Sequence, residues 1–165
     1  MEQLKLIYTT DFYSINDIQL SDCCGHMICL EGEGSFVFNE KCFHFCAGDI
    51  LILTQPHKLK NLAAGKNLKV EFFATQYNFL FKQLPSNNFA VGGSISLYED
   101  PIIHATKEEG ERFLADIRII RDRMQEEGEH RFYLEMMASL CRTMMYDLFS
   151  FHAHRNETQQ STDRQ

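Results

Sequence analysis

Three side chains with metal-binding chemistry alternate along one short stretch: Cys42, His44 and Cys46. Alternate residues on a β-strand point the same way, so all three would share one face. Thiolate and imidazole both suit zinc. Phe43 and Phe45 alternate with them, however, and claim the core-facing side of such a strand. Ligands about 7 Å apart along a strand converge on one ion only with help from elsewhere, so the chain is expected to carry no metal. A second group, Cys23, Cys24 and His26, holds the residue types of a nucleophile and its base. No third group that would orient the histidine is legible beside them. His57 and His104 stand alone, and His152 and His154 fall near the end of a predicted helix, where positive charge is mildly favoured. The six cysteines include no C-x-x-C pair. They read as reduced, mostly buried apolar residues.

No other catalytic pattern is present. The sequence lacks a G-x-S-x-G elbow, a P-loop and a Rossmann glycine fingerprint. The acidic pairs Glu108-Glu109 and Glu126-Glu127 lie on predicted helix faces and read as solvated charge. No catalytic residue and no cofactor are therefore assigned, and the chain is read as a protein without enzymatic activity.

The elements that would position these residues differ between the two halves. Residues 1–100 carry short apolar runs broken by Gly, Asn, Asp and Pro, the pattern of many short strands. Predicted strands are Met27 to Glu31, Ser35 to Phe38, Cys42 to Cys46, Ile50 to Leu53, Leu59 to Leu62 and Leu68 to Ala74. The polar link Asn39-Glu40-Lys41 signals a hairpin. Ile50 to Leu53 is apolar throughout, which suits a strand covered on both faces. Strands this short and evenly spaced point to a closed barrel or sandwich. Farther on, Phe113, Ile117, Ile120 and Met124 form a one-sided helical stripe, and Gly128 marks its stop. A second helix is predicted from about Arg131 to His152, apolar at Phe132, Met136, Leu140, Met144 and Leu148, with Met137, Cys141 and Phe151 widening that face. The apolar arc is broad enough to predict a dimer interface through those first five residues.

The chain of 165 residues is long enough for one domain with a core. Acidic residues number 23 against 16 basic, a net charge of −7. That balance argues against a surface that grips phosphates, so DNA contact is not expected from these residues. The N-terminus lacks the charged-then-apolar pattern of a signal peptide. No apolar run approaches the roughly 20 residues that span a bilayer. The expectation is a cytoplasmic protein with no membrane contact. Beyond His154 the sequence turns polar, from Asn156 to Gln165, and reads as a linker or tail.

The stretch ICLEGEGSFVFNEKCFHFCAGDILIL, residues 28–53, resembles the cupin barrel as used in AraC-family sensor domains. The matching features are Glu31-Gly32-Glu33-Gly34 closing one strand, the hairpin about Glu40, Ala47-Gly48-Asp49 opening the next strand, and Pro56 after it. Leu68 to Ala74, Phe79 to Leu84, the segment around Pro101 and the helix pair are similar to the sequel in that family, so the resemblance covers about residues 20–154. It implies an α+β fold: a cupin-like, jelly-roll type β-barrel with an N-terminal arm over 1–100, an antiparallel two-helix dimerisation element over 101–154, and a polar linker over 155–165. Gly32, Gly34 and Gly48 would take the positive φ of tight corners.

Many cupins bind a metal through an H-x-H pair, a Glu and a later His. Here the corresponding positions hold Ile18 and Leu20, Gly25 and Asn61. That ligand set is absent, and the resemblance implies no metal.

The resemblance implies a small-molecule effector in the barrel, a homodimer, and DNA reading through a C-terminal helix-turn-helix domain outside these residues. Strand alternation names His26, Leu59, Asn61, Val70 and Phe72 as candidate effector contacts, with Glu71 a further polar group, and Tyr8, a further candidate contact, closes the mouth with Phe12 and Tyr13 of the arm. The competing reading is a stand-alone, metal-free cupin that binds a small molecule or acts as an isomerase. The identity of the effector, the operator, and the choice between activator and repressor are not legible in these residues.

Overall fold

The computed structural model describes residues 4–82 and 99–163, with side chains as far as His154. Its strands are β1 (Leu6–Thr9), β2 (Cys23–Glu31), β3 (Glu33–Phe38), β4 (Lys41–Cys46), β5 (Asp49–Leu53), β6 (Lys60–Ala64), β7 (Lys69–Gln76) and β8 (Ile102–His104). Its helices are α1 (Tyr77–Phe81), α2 (Lys107–Arg123) and α3 (Tyr133–Asp163). The strands form two antiparallel sheets, ordered β1-β7-β2-β5-β8 and β4-β3-β6. The fold is thus mixed α+β. The boundary drawn at residue 100 falls one strand early, because β8 pairs with β5.

The larger sheet is covered on both sides. All five residues of β5 are buried, the apolar run Ile50 to Leu53 as a strand covered on both faces requires and Asp49 with them. One side chain set, including Met27, Leu51, Leu53, Val70 and Phe72, meets Phe36, Phe38 and Phe45 of the smaller sheet. The alternate set, Cys24, Ile28, Ile50, Ile52 and Phe73, meets the helices. The order is helices, larger sheet, smaller sheet.

Local signals explain the element ends. Asn39 (φ 53°) and Glu40 (φ 66°) both lie in the left-handed region. They form a two-residue turn of the primed type, whose twist matches a hairpin. Lys41 belongs to β4 and pairs with Phe38, so the loop is one residue shorter than the sequence reading made it. Gly32 (φ 79°) and Gly48 (φ 95°) do take positive φ. Gly34 does not; it is glycine because an added Cβ would stand 2.5 Å from the Phe45 ring.

Helix α2 begins at a capping box, Thr106 and Glu109 each bonding the other's backbone N–H. Its buried side chains Phe113, Ile117 and Ile120 are three of the four in the predicted stripe; the fourth, Met124, is half-buried just past the helix end. In α3 the buried face runs through Tyr133, Met137, Cys141, Met144, Met145, Leu148 and Phe151. It is centred one residue away from the face read in the sequence. Met144 and Leu148, assigned there to a dimer interface, are consumed by the intramolecular core, with 0% and 1% exposure. Met136 and Leu140 are half-buried against the same core. The helix continues past the predicted end at His152 to Asp163, although the side chains of the polar stretch Asn156 to Gln165 lie outside the described residues. Among the described residues no helix is long and apolar enough to cross a membrane.

Between α2 and α3, Asp116 approaches Asp147. Burial first, and the neighbouring carboxyl second, push Asp116 up to about 8. A carboxyl raised above its unfolded value of 3.8 binds more protons in the folded state across that interval. Its contribution to stability therefore falls as pH rises from about 4 to about 8. Asp116→Asn should flatten that fall in urea unfolding measured at pH 5 and pH 8. An unchanged slope would show that the two carboxyls do not share a proton.

Candidate functional site

Side chains fill the space between the sheets. Ile15, Leu20, Met27, Phe36, Leu51 and Phe72 are all at 2% exposure or less. The arm contributes to this filling. Phe12 is buried with its ring edge-on to Phe45 at 5.5 Å, while the exposed Tyr13 accepts a hydrogen bond from Ala64 N–H at 3.0 Å. Where Leu53, Leu59, Phe38 and Pro101 meet, the slot left between them holds no water-sized space.

The slot shares Phe38 and Gln55 with a cavity of about 500 Å³. This cavity lies between the β3–β4 turn, which supplies Asn39 and Glu40, and the β5–β6 connection, which supplies Gln55, His57 and Lys58, with Lys60 from the start of β6. The connection is shaped by Pro56, which opens a single 3-10 turn ending at Lys58. Gln55 Oε1 and His57 Nδ1 are both shielded from solvent with no hydrogen-bond partner. Orphaned polar atoms of this kind are costly unless a ligand or water completes them. With two lysines and a histidine against one glutamate, the cavity suits a small anion or a polar molecule with an acidic group.

The sequence-predicted contacts do not converge there. Leu59, Val70 and Phe72 are core residues between the sheets. Asn61, expected to share the inward face with Leu59, is exposed: its φ of 53° and the register shift between Ser35 and Val37 break the alternation. His26 is fully buried on the opposite, helix-facing side of the larger sheet, stacked on Phe73 at 6.1 Å. Burial lowers its pKa to about 4, so the ring is neutral at physiological pH. Cys24 Sγ lies 3.8 Å from His26 Nε2. Burial pushes that thiol up to about 12, so it does not form the thiolate that a nucleophile needs. Sequence reasoning missed the cavity because most of its lining, Asn39, Glu40, Gln55, His57 and Lys58, sits in turns, and the rest, Val37, Phe38 and Lys60, at strand ends; the Pro56-His57-Lys58 run beside Asn39-Glu40 was the signal.

Tyr8 joins a different constellation. Its hydroxyl donates to Glu71 Oε1 at 2.5 Å. Arg118 of α2 grips the same carboxylate through Nε, at 3.2 Å to each oxygen, and through Nη2 at 2.5 Å. Arg121 stands 4.0 Å from Glu71 and places its guanidinium 5.5 Å from the Tyr8 ring centre. Burial opposes ionisation of Glu71, but Arg118 and Tyr8 outweigh it and hold its pKa below the ordinary value. This cluster ties β1 and β7 to α2.

The exposed Cys42, His44 and Cys46 share the outer face of β4, with Phe45 buried and Phe43 half-buried beneath, as the aromatic alternation required. Cys42 Sγ is 3.7 Å from His44 Nε2. Among the described residues no group of three ligands within the chain could hold a metal ion.

No protein-family model matches the sequence, and no curated protein matches it. Among solved structures the chain is similar to the AraC-like transcriptional activator CuxR, with a TM-score of 0.52 and 9% identity over 91% of this chain and 52% of that one. The chain thus spans about half the length of that protein, and at such identity the likeness is one of fold.

Arg118→Ala would leave Glu71 buried with only Tyr8 and a more distant Arg121. It should cost about 2–4 kcal/mol in chemical denaturation. Tyr8→Phe should cost about 1 kcal/mol. If neither variant moves the midpoint, the cluster contributes nothing to stability.

Proposed function

We propose that this chain is the effector-sensing and dimerisation part of an AraC-type transcription regulator, acting in the cytoplasm and without enzymatic activity. The observation that supports this most is the likeness in fold to an AraC-like activator across 91% of the chain. The finer architecture we assign is the cupin-like jelly roll, on the strength of two antiparallel sheets facing each other across an apolar core. The effector is a small molecule with an acidic group. It binds in the cavity beside Lys58, Lys60 and His57, whose donors suit an acidic group.

The dimer face we assign begins at Phe132, which is 60% exposed just before α3, and continues through the half-buried Met136 and Leu140 on the same side of the helix. A second copy covers this apolar surface. DNA is read by a separate helix-turn-helix domain, since the net charge of −7 gives this part little attraction for phosphates. Effector binding shifts the population between two arrangements of the helices, by no more than its differential affinity for them. The Glu71 cluster provides a rigid connection from sheet to α2 along which such a bias can act.

The test is a fusion of this chain to a DNA-binding unit that occupies its operator only as a dimer. Operator occupancy should appear with the fusion, and Phe132→Glu should reduce it about tenfold or more, the effect of losing a hot-spot contact. A wild-type fusion that leaves the operator empty would overturn the regulator reading. Occupancy unaffected by Phe132→Glu would overturn the assigned interface.

A further inference from the structure

We propose that β4 is a meeting edge for two copies of this chain, which pair antiparallel about His44 and hold two zinc ions, each bound by Cys42 and His44 of one copy and the partner's Cys46. The proposal does not rest on the regulator reading.

Strand β4 is the outer strand of the smaller sheet, and among the described residues nothing pairs with its far edge. The hairpin fixes which of its backbone groups are free. A two-residue primed turn makes Phe38 and Lys41 the closing hydrogen-bonded pair. Hydrogen-bonded and non-hydrogen-bonded pairs then alternate along the ladder. Phe43 and Phe45 fall in the first kind, facing Phe36 and Gly34; Cys42, His44 and Cys46 fall in the second, facing Val37, Ser35 and Glu33. The backbone groups of Cys42, His44 and Cys46 therefore point to the open edge. Cys46 N–H is already used, donating to Asp49 Oδ2 at 2.9 Å. The N–H and C=O of Cys42 and His44, and the C=O of Cys46, remain for a partner strand.

Cysteine, histidine and cysteine at alternate positions read the same in both directions. An antiparallel pair of identical strands has a twofold axis. With the axis at His44, Cys42 stands across from the partner's Cys46, with Cα atoms about 5.5 Å apart. The same register sets Lys41 across from the partner's Ala47, so no like charges meet, and sets the half-buried Phe43 across from the partner's Phe45 on the opposite face.

The metal chemistry follows from one distance. Zinc bonds of about 2.3 Å to sulfur and about 2.0 Å to nitrogen, at a tetrahedral angle, separate the two ligand atoms by about 3.5 Å. Cys42 Sγ and His44 Nε2 are 3.7 Å apart and exposed. Half of a zinc site is therefore in place, and the chain has no third ligand within reach among the described residues. The partner's Cys46 supplies it from directly across the seam, leaving the fourth position to water. The twofold axis repeats the site with the roles exchanged.

The experiment titrates Zn²⁺ into the reduced chain while mass is followed by light scattering and bound metal is counted. Zinc should double the mass of the metal-free species, bind at one ion per chain, and be reversed by chelator. Cobalt in its place should show the visible bands of tetrahedral thiolate coordination. Cys42→Ser and Cys46→Ser, both at exposed positions, should each lose the doubling and the metal. An equimolar mixture of the two variants should regain association with one zinc per pair, because one of the two sites is then assembled from intact residues. Zinc bound without a change of mass, a doubling that survives either single variant, or a mixture that regains nothing would each overturn the proposal. A zinc-independent dimer, by contrast, reports on the α3 face and is removed by Phe132→Glu rather than by the cysteine variants.

Discussion

Strands β2, β5 and β7 have no wet side: their side chains are buried alternately against the smaller sheet and against the helices. Most of the remaining architecture answers to that constraint. A sheet that cannot be left open on either face needs two covers, and the helices are one of them. That requirement draws Met137, Cys141, Met144 and Leu148 inward and determines how α3 is rotated. What the sheet does not use is left at the start of the helix, where Phe132 and Leu134 stand in solvent.

The same constraint sets the chemistry of the buried polar groups. His26, Cys24 and Glu71 all face the helices from the larger sheet, yet they end in different charge states. His26 and Cys24 meet only apolar or weakly polar neighbours, and burial keeps both neutral. Glu71 meets two arginines and a tyrosine hydroxyl and stays ionised. A carboxylate in that position is tolerable only because its partners reach it from α2 and β1 together.

Much of this order was legible in the sequence, and the failures share a cause. The apolar run of β5, the stripe of α2 and the outward Cys-His-Cys face of β4 follow from simple periodicity, and each element is regular. Asn61 defeated the alternation rule because a bulge inserts there, and nothing in the residues around it announces one. The face of α3 was read one residue away because methionines and leucines occupy both its buried and its half-buried positions. Length was misjudged at the β3–β4 turn because Asn39-Glu40 lacks the glycine that usually marks a primed turn. The cavity was missed because most of its residues, Asn39, Glu40, Gln55, His57 and Lys58, belong to turns, where periodicity carries no information.

The filled space between the sheets has an evolutionary corollary. Phe36 and Phe72 hold the two layers together without touching the cavity, and of the cavity's lining Phe38 shares that core while Lys58 and Lys60 do not. Lys58 and Lys60 are exposed and contribute little to folding. Recognition can therefore drift by exchange of turn residues while the interior is conserved, and descendants of one scaffold can diverge in the molecules they answer to without passing through an unstable ancestor.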